Sequence, residues 1–290
     1  MDIVLYNPLS RNGQKKHFIK NIVRKLERQG QEVKTKNILE IDNVTTFVDS
    51  LDPFDRIILV GGDGTLNRLA NKIYGMNYPN PLYMYQAGTG NDFMRSLKTK
   101  AKIVLIKPYL NNLPTVQYNG INSYFLNGAG AGLDGLVIYL VNHSDKKRSK
   151  KNYFRYALKG FKKAKRHAVT LEYNNKKVHI PDAWMVSVMN SPYAGGGMKM
   201  APQASRHERS FDVVVVRKIP KFLLTLIFPT IYLGWHTLFK RYVSIYRTES
   251  IKVSYEADQY MQIDGEDVYP IRSFEVSYEG FKKDASLDAS

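Results

Sequence analysis

The chain of 290 residues is long enough for one large domain or two of medium size, and its 43% apolar and 24% charged residues are typical of a globular protein. It contains no cysteine, which excludes disulfides, thiolate metal sites and cysteine nucleophiles and agrees with a reducing, cytoplasmic location. Its formal net charge of +17 indicates an anionic partner, either a nucleic acid or an anionic membrane surface.

The first hundred residues alternate short β-branched runs with amphipathic helical patterns. The predicted strands are 3–6, 32–35, 56–60 and 81–86, and the predicted helices are 14–29, 44–51 and 66–74. This βαβα order predicts a parallel sheet with helices on its faces, which is an α/β domain.

Beyond about residue 100, many short strand patterns occur with few helices. The strands are 103–106, 124–127, 169–173, 184–189, 213–216, 251–255 and 274–278, and the helices are at about 134–142, 152–166 and 221–233. Such a pattern predicts a mainly antiparallel β-sandwich. We therefore expect an α/β domain over residues 1–125 and a larger β-sandwich domain over 126–290. The final strand or tail of the second is free to pack back on the first.

Residues 146–166 carry eleven Lys or Arg and no acid, and their apolar residues recur at helical spacing. The pattern fits a surface helix with a solvated basic face, or one that meets an anionic membrane. No nucleic-acid-binding motif accompanies the charge, so we expect no nucleic acid partner.

A second segment, residues 222–239, is strongly apolar but is interrupted by Pro229, Gly234 and His236. The length is close to the minimum for a membrane span, and the interruptions argue against one. We predict a buried helix that breaks near Pro229 and ends at Gly234, with shallow contact with a bilayer as the alternative.

The sharpest motif consists of Gly61, Gly62, Asp63, Gly64 and Thr65, between a predicted strand and a predicted helix. Glycines let backbone N–H groups approach a phosphate, and the start of the helix adds its dipole. Because Asp63 would repel a phosphate, we expect it to face Mg²⁺, a water bound to Mg²⁺ or the acceptor hydroxyl. The alternative is a glycine-rich turn in which Asp63 and Thr65 only cap the helix.

A second loop of this kind follows the next predicted strand. It contains Gly88, Thr89, Asn91 and Asp92. Because the carboxyl ends of neighbouring parallel strands meet at one edge, both loops would line the same crevice. Asn7 and Ser10, after the first strand, would reach it as well.

Six motifs occur in a fixed order along the chain. They are NPLS at 7–10, GGDGT at 61–65, GTGNDF at 88–93, NGAGAGLD at 127–134, GGG at 195–197 and DGE at 264–266. The ordered set resembles the bacterial diacylglycerol kinase and sphingosine kinase-like lipid kinases, whereas GGDGT alone is shared with NAD kinases. The resemblance spans nearly the whole chain. It implies an NAD kinase-like nucleotide-binding domain, a β-sandwich that holds the lipid site, and ATP and Mg²⁺ in the cleft between them.

The resemblance also implies roles for individual residues. Nucleotide-phosphate contacts are expected from Asn7, Gly61–Thr65 and Thr89, and from Ser10, Gly88 and Asn91 in the same loops. Asp63 and Asp92 resemble members of an Asp–water–Mg²⁺ network. Asp264 and Glu266 resemble the late acidic motif that supplies the general base, with Asp63 as the competing candidate. The Asp-Gly pair at 264–265 separately predicts a hairpin turn, which would present these acids at the cleft.

One segment departs from the family pattern. Where relatives have a close group of aspartates, residues 205–212 have only Glu208 and Asp212 as acids, near Arg206 and Arg209. We therefore expect these arginines to pair with the acids, and no structural metal there.

The sequence predicts an ATP-dependent, Mg²⁺-using lipid kinase that is cytoplasmic and peripherally associated with the membrane. Its partner would be a lipid substrate at an anionic membrane surface, with diacylglycerol, giving phosphatidic acid, as the leading acceptor. The alternatives are an NAD kinase-like enzyme and a nucleotide-binding, membrane-associated regulator with impaired catalysis. The sequence leaves the acceptor lipid and the oligomeric state open, a homodimer included.

Overall fold

The protein is represented by a computed structural model that describes residues 1–8, 16–87, 90–145 and 150–279. Its first sheet has five strands in the order β2-β1-β3-β4-β5. They are β1 (Asp2–Tyr6), β2 (Val33–Asn37), β3 (Arg56–Gly61), β4 (Leu82–Gln86) and β5 (Ile103–Leu105). Strands β1 to β4 are parallel and β5 is antiparallel to β4. The helices are α1 (Lys16–Glu27), α2 (Val44–Asp49), α3 (Asp63–Ile73) and α4 (Asp92–Ser96).

Strand β3 shows why this sheet is covered on both faces. Its side chains alternate: Ile57 and Leu59 join one apolar cluster with α2 and α3, while Ile58 and Val60 join another with α1. A strand with helices on both sides must be apolar at every position, which is the continuous run in the sequence. The predicted α/β architecture is confirmed.

The second sheet has nine antiparallel strands in the part of the chain that the structure describes. They are β6 (Thr115–Tyr118), β7 (Ile121–Tyr124), β8 (Gly128–Gly132), β9 (His167–Tyr173), β10 (Lys176–Met189), β11 (Phe211–Arg217), β12 (Val243–Thr248), β13 (Ser250–Ile263) and β14 (Glu266–Ser277). The order is β12-β11-β10-β8-β13-β14-β6-β7, and β9 also lies between β10 and β13. The chain changes sheet between β5 and β6, ahead of residue 125.

This sheet curves over itself. Three strands separate β11 from β14, which amounts to about 19 Å at the usual strand spacing. Nevertheless the rings of Phe211, in β11, and Tyr278, directly after β14, stack with their centroids 4.6 Å apart. One buried apolar cluster takes residues from β6, β8, β9, β10, β11, β13 and β14. The predicted β-sandwich is therefore confirmed. The first sheet with α1–α4 is called here the N-terminal domain, and the second sheet with its helices the C-terminal domain.

Within the described ranges, three α-helices belong to the C-terminal domain: α5 (Leu133–Asn142), α6 (Lys150–Lys163) and α7 (Lys221–Ile227). Helix α6 confirms the helical pattern in the basic segment, whose residues 146–149 lie outside the described ranges. The helix predicted to extend to residue 233 ends at Ile227, because Pro229 cannot donate the next helical hydrogen bond. Two 3-10 turns follow, Phe228–Tyr232 and Trp235–Leu238.

The prediction that segment 222–239 is buried is wrong for the side chains on its outer face. Leu224, Ile227 and Ile231 are buried, whereas Phe222 and Leu226 are 70% and 68% exposed. Apolar composition alone does not determine which side of a short helix is covered. None of the helices in the described ranges is long and apolar enough to cross a bilayer.

Candidate active site

Asp63 connects the two glycine-containing loops. It is the first residue of α3, and its carboxylate accepts hydrogen bonds from the backbone N–H groups of Asp92 (3.1 Å) and Phe93 (2.9 Å). These two residues begin α4, where a helix leaves its N–H groups without internal partners. The loops after β3 and β4 therefore meet at one edge of the sheet, as expected from their parallel order.

The glycines of the first loop have different environments. A Cβ on Gly61 would lie 2.8 Å from the Cβ of Thr65, so packing excludes a side chain there. The hydroxyl of Thr65 in turn accepts a 3.3 Å hydrogen bond from the side-chain amide of Asn7. A Cβ on Gly64 would meet nothing within 4 Å, because this residue faces open space at the start of α3. Gly64 is therefore available to a ligand, whereas Gly61 is required by the fold.

Asp92 is buried in an unusual way for a carboxylate. One oxygen, Oδ2, accepts a 2.7 Å hydrogen bond from the backbone N–H of Gly196, and the other, Oδ1, is buried and has no partner among the described residues. Burial, together with the nearby carboxylate of Asp63, raises the pKa of Asp92 to about 6. The amide oxygen of the neighbouring Asn91 is also buried without a partner within the described ranges.

These oxygens fit a hard cation. Mg²⁺ is usually held by one or two carboxylates, together with waters and substrate phosphates. An unpartnered carboxylate oxygen next to a second carboxylate meets that requirement. No group of three or more acidic or histidine side chains forms a fuller metal site in the described part of the chain. Asp92 is therefore the best candidate ligand, with Asp63 beside it.

Asp264 lies at the turn between β13 and β14, with a φ of +48°. Its Oδ1 accepts from the backbone N–H groups of Asn127 (2.9 Å) and Gly128 (3.1 Å). Its Oδ2 accepts from the backbone N–H of Leu126 (2.5 Å) and the side-chain amide of Asn67 (2.8 Å). Burial raises the pKa of Asp264, and these hydrogen bonds act in the opposite direction. All four usual acceptor positions of this carboxylate are therefore filled.

Glu266, two residues later, is in a different situation. Its carboxylate pairs with Arg68 of α3 at 2.8 Å, and its side chain is 45% exposed. Asp63 and Asn67 lie one helical turn apart on α3. The first turns of α3 thus face the loop after β4 through Asp63 and the 264–266 hairpin through Asn67 and Arg68. The predicted hairpin turn is confirmed, and the two domains meet at this helix.

Two known protein domains match consecutive parts of the chain. Residues 2–111 match the diacylglycerol kinase catalytic domain, and residues 128–275 match the YegS C-terminal NAD kinase beta sandwich-like domain. This chain belongs to the diacylglycerol kinase family of lipid kinases. It is therefore an enzyme, and as a kinase it uses a nucleotide as phosphoryl donor.

Named relatives of this lipid kinase support the assignment. Diacylglycerol kinase of Bacillus subtilis (strain 168) is 27% identical over 277 residues, which covers 91% of this chain and 88% of that protein. Diacylglycerol kinase of Staphylococcus saprophyticus is 28% identical over 273 residues, with the same coverage of 91% and 88%. A solved diacylglycerol kinase from Bacillus anthracis shares the fold with a TM-score of 0.63 at 18% identity, covering 95% of this chain and 92% of that one.

Arg206 is a buried cation of this lipid kinase, and its role differs from the one expected from the sequence. Arg206 does not pair with Glu208 or Asp212. Its Nε donates to the hydroxyl of Ser96 at 2.6 Å, and its guanidinium lies 4.3 Å from the centre of the Phe93 ring. It also donates to the carbonyl of Leu126 (3.1 Å) and the side-chain oxygen of Asn127 (2.9 Å). Burial lowers its pKa to about 10. Arg206 thus joins the two domains behind the site, a long-range role that no local pattern indicates.

The acids of segment 205–212 are held by Arg247 of β12 instead. Its Nε pairs with Asp212 at 2.9 Å, and its other nitrogens reach Glu208 (3.2 Å) and the carbonyl of Gln203 (2.9 Å). The expectation that Arg206 and Arg209 would pair with these acids is therefore wrong. A guanidinium between both carboxylates leaves no room for a cation, so these residues do not fit a structural metal.

Three of the predicted nucleotide contacts, Ser10, Gly88 and Thr89, lie outside the described ranges. Their roles stay predictions. Asn7, Gly61, Gly62, Gly64, Thr65 and Asn91 are all within the described loops at this edge of the sheet.

Proposed function

We propose that this lipid kinase transfers the γ-phosphoryl group of ATP to the hydroxyl of diacylglycerol, giving phosphatidic acid, at the cytoplasmic face of an anionic membrane. One observation carries the proposal. In a member of the lipid kinase family, the start of α3, the Asp63–Asp92 pair and the 264–266 hairpin meet at a single edge of the sheet. Phosphoryl transfer requires an anion site, a metal site and a base for the hydroxyl proton close together.

The phosphates would bind at the N-terminus of α3. The first N–H groups of a helix and its dipole favour an anion, and the space at Gly64 allows close approach. The bond between Asn7 and Thr65 holds the side of this loop that faces β1. The open start of α3 thus supports nucleotide binding there.

Asp92 would hold Mg²⁺ through its unpartnered oxygen, with Asp63 close by. When bound, Mg²⁺ supplies positive charge to the phosphates during transfer. Because its pKa is raised to about 6, Asp92 is mostly ionised at neutral pH, and protons would compete with the cation only at and below about pH 6. Asp63 holds the loop that carries Asp92, through its two bonds to the start of α4.

We assign proton removal from the acceptor hydroxyl to Glu266 and a positioning role to Asp264. A base needs a free lone pair, and Asp264 already accepts four hydrogen bonds. Glu266 keeps an accessible carboxylate beside Arg68. Asp264 therefore serves to fix the turn from which Glu266 projects.

The experiment is a kinase assay with radiolabelled ATP and Mg²⁺ on lipids in mixed micelles. Diacylglycerol, phosphatidylglycerol, a sphingoid base and a polyprenol are compared, with NAD as a control acceptor. We expect label in phosphatidic acid and none in NADP. Preferential labelling of another lipid would overturn the choice of diacylglycerol, and labelling of NAD alone would overturn the lipid kinase reaction.

A further inference from the structure

Six large apolar side chains are exposed in one stretch of the C-terminal domain, the apolar segment, residues 222–239. They are Phe222, Leu226, Leu233, Trp235, Leu238 and Phe239, with exposures between 39% and 72%. Thirteen large apolar side chains are exposed among the residues described, so this segment holds nearly half of them. Clusters of this kind in a water-soluble fold mark interaction surfaces.

The backbone of the apolar segment is anchored, so the exposure is built into the fold. Helix α7 buries Leu224 and Ile227, which leaves Phe222 and Leu226, four residues apart, on the opposite face. The carbonyl of Ile231 accepts a 2.9 Å hydrogen bond from the backbone N–H of Lys199. The segment is thereby fastened to the loop at 194–202.

That loop also reaches the candidate active site. Gly196 donates its backbone N–H to the carboxylate of Asp92 at 2.7 Å. Tyr232, within the apolar segment, has its pKa raised by burial and, to a lesser extent, by the charge of Asp92. The apolar segment therefore lies close to Asp92 and to the candidate active site.

The surroundings of the apolar segment are basic. Residues 213–248 contain six Lys or Arg and no acid. Helix α6 packs beside it, since the rings of Phe161 and Phe228 are 5.0 Å apart and Lys221 donates to the carbonyl of Lys162 at 2.7 Å. The exposed residues of α6 include Arg155, Lys159, Lys162 and Lys163. An apolar centre with cationic flanks is complementary to an anionic bilayer.

We propose that the apolar segment is a membrane-docking element that inserts into the interfacial layer of an anionic bilayer. The outward side chains of α7 and of the second 3-10 turn enter the headgroup–acyl boundary, and the cations of α6 and Lys221 contact headgroups. Trp235 is of a residue type that favours the membrane–water interface. Docking keeps the candidate active site close to the lipid surface. This role of docking rests on the proposed function.

The two tryptophans make insertion directly measurable. Trp235 is 57% exposed, whereas Trp184 is buried and its ring N–H bonds to the carbonyl of Ile219. With vesicles of phosphatidylglycerol and phosphatidylcholine, we expect a blue shift of the emission and quenching by brominated acyl chains. Trp235→Phe should remove both signals. If the protein binds these vesicles and the emission of Trp235 does not change, the segment does not insert and the proposal is overturned.

Vesicle sedimentation supplies the second test. Phe222→Ser combined with Leu226→Ser should weaken binding to the anionic vesicles at least tenfold, and pure phosphatidylcholine vesicles should bind the parent poorly. Phe54→Ser is the matched control, because Phe54 is 88% exposed in the N-terminal domain. Equal binding by the double variant and the parent, or no vesicle binding by the parent, would overturn the docking proposal; the latter would indicate a protein partner.

A short-chain, water-soluble diacylglycerol separates docking from function. The double variant should phosphorylate it at the parental rate and lose at least tenfold on vesicle-borne diacylglycerol. Phosphorylation of the short-chain lipid together with unimpaired vesicle binding by the double variant would overturn docking and leave the function standing. Vesicle binding that depends on the apolar segment, with no lipid phosphorylated in any form, would overturn the function and leave docking standing.

Discussion

The side-chain amide of Asn67 in α3 donates a 2.8 Å hydrogen bond to the carboxylate of Asp264, 197 residues further along the chain. The same carboxylate accepts the backbone N–H groups of residues 126–128. The Asp264 side chain thus ties together α3 of the N-terminal domain, the start of β8 and the 264–266 hairpin. The geometry of Glu266 relative to α3 depends on this junction.

Asp264→Asn should therefore lower both the stability and the turnover of the enzyme. Asparagine tolerates the positive φ of this position, but its NH₂ group would face two hydrogen-bond donors. We expect a loss of about 1–3 kcal/mol in the free energy of unfolding, the usual cost of unsatisfied buried polar groups. Denaturant unfolding measures it. Parental stability combined with lost turnover would instead make Asp264 the base.

Glu266→Gln should lower turnover by roughly 10²–10⁴-fold, the range for a lost general base, while leaving ATP affinity and unfolding nearly unchanged. The stability should hold because the side chain is 45% exposed and pairs only with the exposed Arg68. Arg68→Gln is the matched control, since it removes the ion pair and keeps the carboxylate. Near-parental turnover of Glu266→Gln would transfer the base role to Asp63 or solvent.

Gly64→Ala and Gly61→Ala should behave differently. The new Cβ at position 64 meets no protein atom within 4 Å, so the fold should hold and ATP binding should weaken by about tenfold or more. At position 61 the Cβ would collide with Thr65, so the protein itself should be destabilised. Isothermal titration with ATP and thermal unfolding separate the two effects. A folded Gly64→Ala protein with parental ATP affinity would locate the nucleotide elsewhere.

The sequence was sufficient for features that depend on local spacing. The βαβα rhythm and the glycine loops after β3 and β4 predict the parallel sheet and the edge where the candidate site lies, because parallel strands end on the same side. The Asp264-Gly265 pair likewise predicts its turn. The physical cause of these features lies in residues that are close together in the sequence.

Other features were missed because their cause lies far away in the chain. Arg247 and Asp212 are 35 residues apart on neighbouring strands, and no pattern in 205–212 indicates that pairing. The exposure of Phe222 and Leu226 was missed for a related reason. Apolar spacing shows that a helix has an apolar face, but whether that face is covered depends on the tertiary packing.

Asp92→Asn should stabilise the protein above pH 6 and weaken Mg²⁺ binding. The pKa of Asp92 is raised from 3.8 to about 6, so between these values the folded state binds more protons than the unfolded state, and stability falls as pH rises. The ionised group then costs about 2–3 kcal/mol at pH 8, which the variant would avoid. Unfolding of both proteins at pH 5 and pH 8 without divalent cations tests this. An equal difference at both pH values would contradict it.

Removal of divalent cations should leave the stability of the C-terminal domain unchanged. Arg247 already neutralises Asp212 and Glu208, so EDTA should not shift the unfolding transition of the nucleotide-free Asp92→Asn variant. Asp92→Asn serves as the background in which the candidate catalytic metal site is disabled.

Arg247→Ala should cost about 3 kcal/mol, the low end for a broken buried ion pair, because Asp212 is only 3% exposed whereas Arg247 is half exposed. The two carboxylates left behind would then attract a cation, so Mg²⁺ or Ca²⁺ should partly restore the stability of this variant. Arg247→Lys, which keeps one positive charge, should show less of that rescue. If EDTA lowers the unfolding temperature of the Asp92→Asn variant with Arg247 intact, a metal, and not Arg247, holds these acids.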